Sequence, residues 1–179
     1  MTSSPSVPLL VANRGEIAVR ILRAAIARGL HAVAINTADD ASALHVAVAD
    51  TAVELAGVGV AGYLDIEAVL AAATSEGAAY VHPGYGFLAE NAEFARACAD
   101  AGCTFVGPDP ETLELFGDKV AARRAAAEAG LPTLAGSEGP ATVSQAAELL
   151  AAHGSVMLKA VAGGGGRGMR RVRSVEELE

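Results

Sequence analysis

Pro8-Leu-Leu-Val-Ala-Asn-Arg-Gly-Glu-Ile-Ala-Val-Arg-Ile-Leu-Arg-Ala-Ala-Ile-Ala-Arg-Gly29 is the stretch whose reading decides the fold. Pro8 to Ala12 is a short apolar run with the length of a buried strand. Asn13-Arg-Gly-Glu16 follows as a variant capping box that opens a helix. Ile17, Ile21, Ala24 and Ala25 then recur at helical spacing, and Gly29 stops the helix. The pattern repeats along the chain. Ala32 to Asn36 and Thr51 to Leu55 read as strands, and Ile66, Val69, Leu70 and Ala73 mark a helix stopped near Gly77. Ala78 to Val81 and Thr104 to Val106 are further strands, separated by a helix from about Asn91 to Ala101. Near-continuous apolar strands alternating with helices predict an α/β fold, a doubly wound parallel sheet covered on both faces. Ligands of such sheets collect beyond the carboxyl ends of the strands. That places Asn13 to Glu16 and His82 to Asn91 at a candidate site.

The 179 residues are 52% hydrophobic and 19% charged, a globular composition with room for one domain and part of another. The formal net charge of −8 argues against a nucleic-acid-binding module. Cys98 and Cys103 make neither a disulfide framework nor a zinc site and read as small core residues. Met1 to Pro8 lacks a basic region and a long apolar run, and no stretch reaches the ~20 apolar residues of a membrane span. The expectation is a cytoplasmic protein with no membrane partner.

Beyond the sheet, a helix from roughly Asp118 to Ala129 is closed by Gly130 and Pro132. Thr142-x-x-Gln145 is a capping box for a helix ending at His153-Gly154. The strand Val156 to Ala160 runs into Gly163-Gly-Gly-Gly-Arg-Gly168, and a strand Met169 to Arg173 returns, making a hairpin. A loop this rich in glycine is entropically costly unless its backbone must approach something closely. Bare N–H groups can cradle phosphates, and Lys159, Arg167, Arg170, Arg171 and Arg173 bring matching charge. The loop satisfies G-x-G-x-x-G, but a strand follows it instead of the helix that dinucleotide binding requires. A Walker-type lysine loop is absent, and in the protein-kinase hairpin the lysine comes after the glycines, whereas Lys159 precedes them. Ser174-x-x-Glu177 is a capping box that opens a third helix, yet the sequence stops at Glu179, and a helix that short cannot stand alone. The expectation is an N-terminal fragment cut inside a second domain.

Single residues carry weaker signals. Lys119 opens a helix, where a cation is slightly disfavoured by the dipole and hints at an anionic partner. Taken alone, it also reads as an ordinary exposed lysine. In His82-Pro-Gly-Tyr-Gly-Phe-Leu-Ala-Glu-Asn91, a histidine, Tyr85 and Glu90 share one strand-end loop. Arg14 and Glu16 are expected to pair on the surface, Asp39 and Asp40 to be turn residues, and His31, His45 and His153 to be structural or solvated.

Together, Leu10-Val-Ala-Asn-Arg-Gly-Glu-Ile-Ala-Val-Arg20, His82 through Asn91, Val106-Gly-Pro108 with Gly117-Asp-Lys119, and Lys159 through Met169 resemble the N-terminal part of biotin carboxylases. These are the ATP-dependent subunits or domains of acyl-CoA and pyruvate carboxylases. The resemblance implies a flexible N-terminus over 1–8 and a Rossmann-like pre-ATP-grasp domain over 9–116. It further implies a linker helix over 117–135 and the truncated start of an ATP-grasp lid domain over 136–179.

It also implies that Lys119 and Lys159 contact nucleotide phosphates and that Gly163, Gly164, Gly165, Gly166, Arg167, Gly168 and Met169 close over ATP. Tyr85 and Glu90 would line the pocket where bicarbonate and biotin react. Arg23 matches an arginine of the family's dimer interface, although Ala27 stands where relatives can carry its glutamate partner. Bicarbonate would attack the γ-phosphate of MgATP to give carboxyphosphate, whose CO2 carboxylates carrier-linked biotin. The Mg2+ and bicarbonate ligands are expected after Glu179, so the fragment alone is expected to be inactive. Implied partners are a biotin carboxyl carrier, a carboxyltransferase and a second copy of the chain. The alternatives are another ATP-grasp ligase, such as carbamoyl-phosphate synthase, or a non-catalytic binding module. The acceptor of the carboxyl group is not written in this sequence.

Overall fold

In the computed structural model, residues 6–137, 139–160 and 168–178 are described. The chain divides into two compact units, Met1–Glu114 and Leu115–Glu179.

The first unit begins with strand β1 (Pro8–Val11), helix α1 (Gly15–Ala27) and strand β2 (His31–Asn36). A single 3-10 turn (Ala38–Asp40) leads to the short helix α2 (Leu44–Val48) and strand β3 (Thr51–Glu54). Helices α3 (Val60–Tyr63) and α4 (Ile66–Ser75) then precede β4 (Tyr80–His82). Helix α5 (Ala92–Asp100) and β5 (Thr104–Phe105) complete the sheet, and α6 (Pro110–Gly117) runs across the division between units. All pairings are parallel and the strand order is β3-β2-β1-β4-β5. This is the doubly wound sheet that the sequence predicts.

Because side chains alternate across a strand, the apolar runs supply both faces at once. Leu10, Val33, Ile35 and Val81 join Tyr63, Val69, Ala73, Phe94 and Cys98 in one buried cluster, under α3, α4 and α5. Leu9, Val11, Ala32 and Ala34 join Ala18, Ile21, Leu22 and Ala25 of α1 in the other. Alanines on both sides let helix and sheet approach closely.

Two local expectations change. Asn13 does not cap α1: the capping position is Arg14, with no side-chain hydrogen bond to the helix. Ser174 does not open an α-helix, because Val175–Leu178 is a 3-10 turn. Four residues cannot offset the cost of nucleating an α-helix, and the tighter turn suffices to bury Leu178.

The second unit contains α7 (Lys119–Glu128), α8 (Val143–His153), and an antiparallel hairpin of β6 (Val156–Lys159) and β7 (Met169–Val172). The Thr142/Gln145 capping box is present as read. Ala146, Leu150, Val172 and Leu178 form a small core beneath the hairpin.

Candidate functional site

The sheet changes direction between β1 and β4: the chain winds outward through β2 and β3, then returns to the other side of β1. Carboxyl ends at such a reversal leave a crevice for ligands. Here the two ends are tied together. The amide of Ala12 donates to His82 O at 2.9 Å, carrying the β1–β4 ladder one residue onward. Asn13 follows, with its side chain only 1% exposed. Its Nδ2 donates to Pro83 O at 2.7 Å and Tyr85 O at 3.1 Å, and its Oδ1 accepts from Arg14 N at 2.9 Å. The same residue thus ends one strand and holds the loop leaving the other.

That loop is shaped by backbone that side chains resist. Gly84 lies at φ +68°, and a Cβ there would stand 2.7 Å from Ile17 Cγ2 and 2.8 Å from Asn13 Nδ2. Phe87 takes φ +46°, a costly conformation for a bulky residue. Its compensation is a stacked ring, Tyr63, at 5.4 Å. Leu88 is buried, the Ala89 amide turns back to Gly86 O, and Asn91 caps α5 by accepting from Phe94 N at 2.8 Å. Gly84 N donates to His82 Nδ1 at 3.0 Å, so the neutral ring carries its proton on Nε2. Burial, and then the charge of Arg20, push His82 below the ordinary histidine range.

Arg14 does not pair with Glu16. It forms an ion pair with Asp40 at 2.9 Å, and Asp40 accepts from Tyr63 Oη at 2.8 Å. Burial, then this bond, push the Tyr63 hydroxyl up to about 12, which keeps it a donor. Asp39 accepts from Gly59 N and Thr37 Oγ1, which hold its carboxyl below the usual range. Both aspartates therefore tie loops together as well as turning the chain. Glu16 instead accepts a long 3.4 Å bond from Tyr85 Oη. Tyr85 is 59% exposed and Glu90 is also exposed, so the loop presents both to solvent from a rigid base.

His45 is structural, as read. It is 1% exposed with Nε2 3.2 Å from Ile35 O, so Nε2 carries the hydrogen and Nδ1 is left without a partner among the described residues. His31 bonds Thr51 Oγ1 at 2.7 Å. His153 is exposed in the last turn of α8.

In the second unit, Lys119 is the exposed first residue of α7. Asp118 caps that helix through Val120 N and Ala121 N, and those bonds hold its carboxyl low. An ionised cap beside Lys119 offsets the dipole penalty, so that penalty no longer points to an anion. Lys159 ends β6 and is exposed, opposite Met169 of β7. Ala160 N donates to Gly168 O at 2.7 Å, which closes the hairpin below the glycine run. Gly168 has φ +74°, and a Cβ there would stand 2.8 Å from Ala160 Cβ. Gly163, Gly164, Gly165, Gly166 and Arg167 lie outside the described residues. No group of three or more His, Cys, Asp or Glu able to hold a metal occurs among the described residues.

Sequence reasoning placed Asn13 and Phe87 within candidate site segments without foreseeing their contacts, read Asp40 only as a turn residue, and missed Tyr63. Asn13 had the clearest cue, a polar residue at a strand end opening a predicted site segment.

The model for the biotin carboxylase N-terminal domain matches residues 6–113. The chain belongs to the biotin carboxylase family. A second family model, the ATP-binding domain of the carbamoyl-phosphate synthase L chain, matches residues 118–179. A biotin carboxylase from Nostoc sp. is 50% identical over 173 residues, covering 95% of this chain and 39% of its own length. A pyruvate carboxylase from Bacillus subtilis is 47% identical over 96% of this chain and 15% of its own. The solved biotin carboxylase domain dimer of Hydrogenobacter thermophilus 2-oxoglutarate carboxylase, in complex with MgADP, ADP and bicarbonate, superposes with a TM-score of 0.88. It is 44% identical, over 96% of this chain and 38% of that one. The chain thus spans well under half of the length of these relatives. They are named biotin carboxylase, pyruvate carboxylase and 2-oxoglutarate carboxylase, and each matches nearly the whole of this chain.

Proposed function

We propose that this chain forms the N-terminal part of a biotin carboxylase, a ligase that uses ATP and bicarbonate to carboxylate carrier-linked biotin. The observation that carries the reading is the order of the two family matches, with the biotin carboxylase domain first and an ATP-binding domain directly after it. A carbamoyl-phosphate synthase reading accounts only for the second match, while the relatives above extend across both.

In this reading, Lys119 and Lys159 hold nucleotide phosphates and the segment Gly163 to Met169 covers them, because phosphoryl transfer needs positioning and charge neutralisation above all. A bicarbonate oxygen attacks the γ-phosphorus, ADP leaves, and carboxyphosphate breaks down to CO2 and phosphate. The ureido nitrogen of biotin captures CO2 and gives up its proton. Tyr85 and Glu90, exposed on the strand-end loop, are assigned to binding bicarbonate and biotin in the same reading. Mg2+ supplies charge neutralisation on the phosphates, but the described residues do not form a ligand set for it, and none is assigned to this chain. The carrier, the carboxyltransferase, a homodimer using the Arg23 face of α1, and a cytoplasmic setting belong to the same proposal. The last rests on sequence alone.

The test is ADP release by the full-length protein with MgATP, bicarbonate and free biotin. Release that requires both biotin and bicarbonate is expected, and the 179-residue polypeptide by itself should give none. Lys159→Ala should weaken ATP use, and Tyr85→Ala should raise the KM for biotin without comparable loss of ATP binding. Release driven by ammonia or glutamine, indifferent to biotin, would overturn the assignment.

A further inference from the structure

Among the described residues the exposed Tyr85 side chain makes one polar contact, the long bond to Glu16, so its direction is set by the backbone beneath it. That backbone rests on one side chain. The two N–H groups of Asn13 are spent on the carbonyls of Pro83 and Tyr85, which flank Gly84. A carboxamide has two donor hydrogens, so both are in use, while its oxygen is held by Arg14 N. The hypothetical Gly84 Cβ at 2.8 Å from Nδ2 measures how closely the loop lies on the amide. No aliphatic or acidic side chain of similar size could hold two carbonyls in this way. The buried asparagine therefore satisfies two loop carbonyls that an apolar group would leave unpaired, and in doing so it sets the backbone on either side of Gly84.

We propose that Asn13 is a positioning residue for Tyr85, fixing the place of the tyrosine through the Pro83 and Tyr85 carbonyls and taking no contact with substrate. The proposal rests on the reading of Tyr85 as a wall of the biotin pocket.

Asn13→Asp tests it in the full-length protein. The aspartate is isosteric and still accepts from Arg14 N, but it turns acceptor oxygens toward the two carbonyls. Displacing a positioned group by a fraction of an ångström to an ångström costs on the order of tenfold to a hundredfold. The KM for free biotin should rise by that factor, with the KM for ATP and the melting temperature of the second unit little changed. In a Tyr85→Ala background the same substitution should add nothing further to the biotin KM, because both changes act on one group. Equal rises in the KM for biotin and ATP, or full additivity with Tyr85→Ala, would overturn the proposal. If Asn13→Asp does not fold, Asn13→Ala removes the donors without adding charge and takes its place. Amide hydrogen exchange of residues 84–87 separates this idea from the functional reading. If the wild-type enzyme ignores biotin, the role of Tyr85 falls, and the proposal falls with it. A loop that exchanges no faster in the variant overturns the positioning claim even where biotin is used.

Discussion

At the level of single residues, Gly84 makes the strictest demand. Its φ of +68° is open to glycine and strained for other residues, and the space a Cβ would need is held by Ile17 and the Asn13 amide. Gly84→Ala should destabilise the first unit by about 1–3 kcal/mol, the usual cost of backbone strain. In the full-length protein it should also raise the KM for biotin more than that for ATP. Denaturant titration and steady-state kinetics check the two parts, and an unchanged unfolding midpoint would show that the loop relaxes freely. The Arg14–Asp40–Tyr63–Phe87 chain braces the same loop from another side. None of its partners could be paired from the sequence. Arg14 and Asp40 are separated by helix α1 and strand β2, and the nearer Glu16 offered a simpler partner. Asn13 was misread for a related reason: asparagine is a favoured capping residue, and only the neighbouring strand end reveals that its amide is engaged elsewhere.

Among elements, legibility followed length and periodicity. The strands of the sheet and helices α1, α4, α5, α7 and α8 were visible within a few residues, since each is either a solid apolar run or several turns of 3.6-residue spacing. Helices α2 and α3, of 5 and 4 residues, left no periodicity to read and exist because tertiary packing holds them. Helix α6 was missed as well; none of its residues is fully buried. The hairpin was legible from its flanking strands, and its closing glycine carries the expectation at this scale. Gly168→Ala, with φ +74° and Ala160 Cβ in the way, should pull β6 and β7 apart at their glycine end and raise the KM for ATP. A strained residue there costs about 1–3 kcal/mol. Hydrogen exchange at Ala160, whose amide bonds Gly168 O, reads the first effect, and retention of that protection would contradict it.

For the molecule as a whole, acid should be the weak direction. His45 and His82 are both held neutral, chiefly by burial, and protonation would place a hydrogen on a nitrogen that has no acceptor among the described residues at His45 and is already an acceptor at His82. Their folded values lie below the ordinary one of about 6.5, so the unfolded chain binds more protons as the pH falls below it. The stabilisation is complete above that value and drains away as the pH drops through the lowered folded values. Denaturant midpoints should therefore fall from pH 7.5 to pH 5.5, and His45→Gln should flatten the decline; an identical slope in that variant would exclude His45 as a source. The two free cysteines offer a means of watching such opening. Cys98 is fully buried with its thiol pushed up to about 12, and Cys103 donates to Ala78 O from beneath the β4–β5 side of the sheet. Because thiolate is the reactive form, a disulfide reagent at neutral pH should stay colourless with the folded protein and titrate both sulfurs after denaturation. The chain thus carries its own clock for the breathing of the first unit: the rate of labelling counts how often that side of the sheet comes apart, with no engineered residue needed.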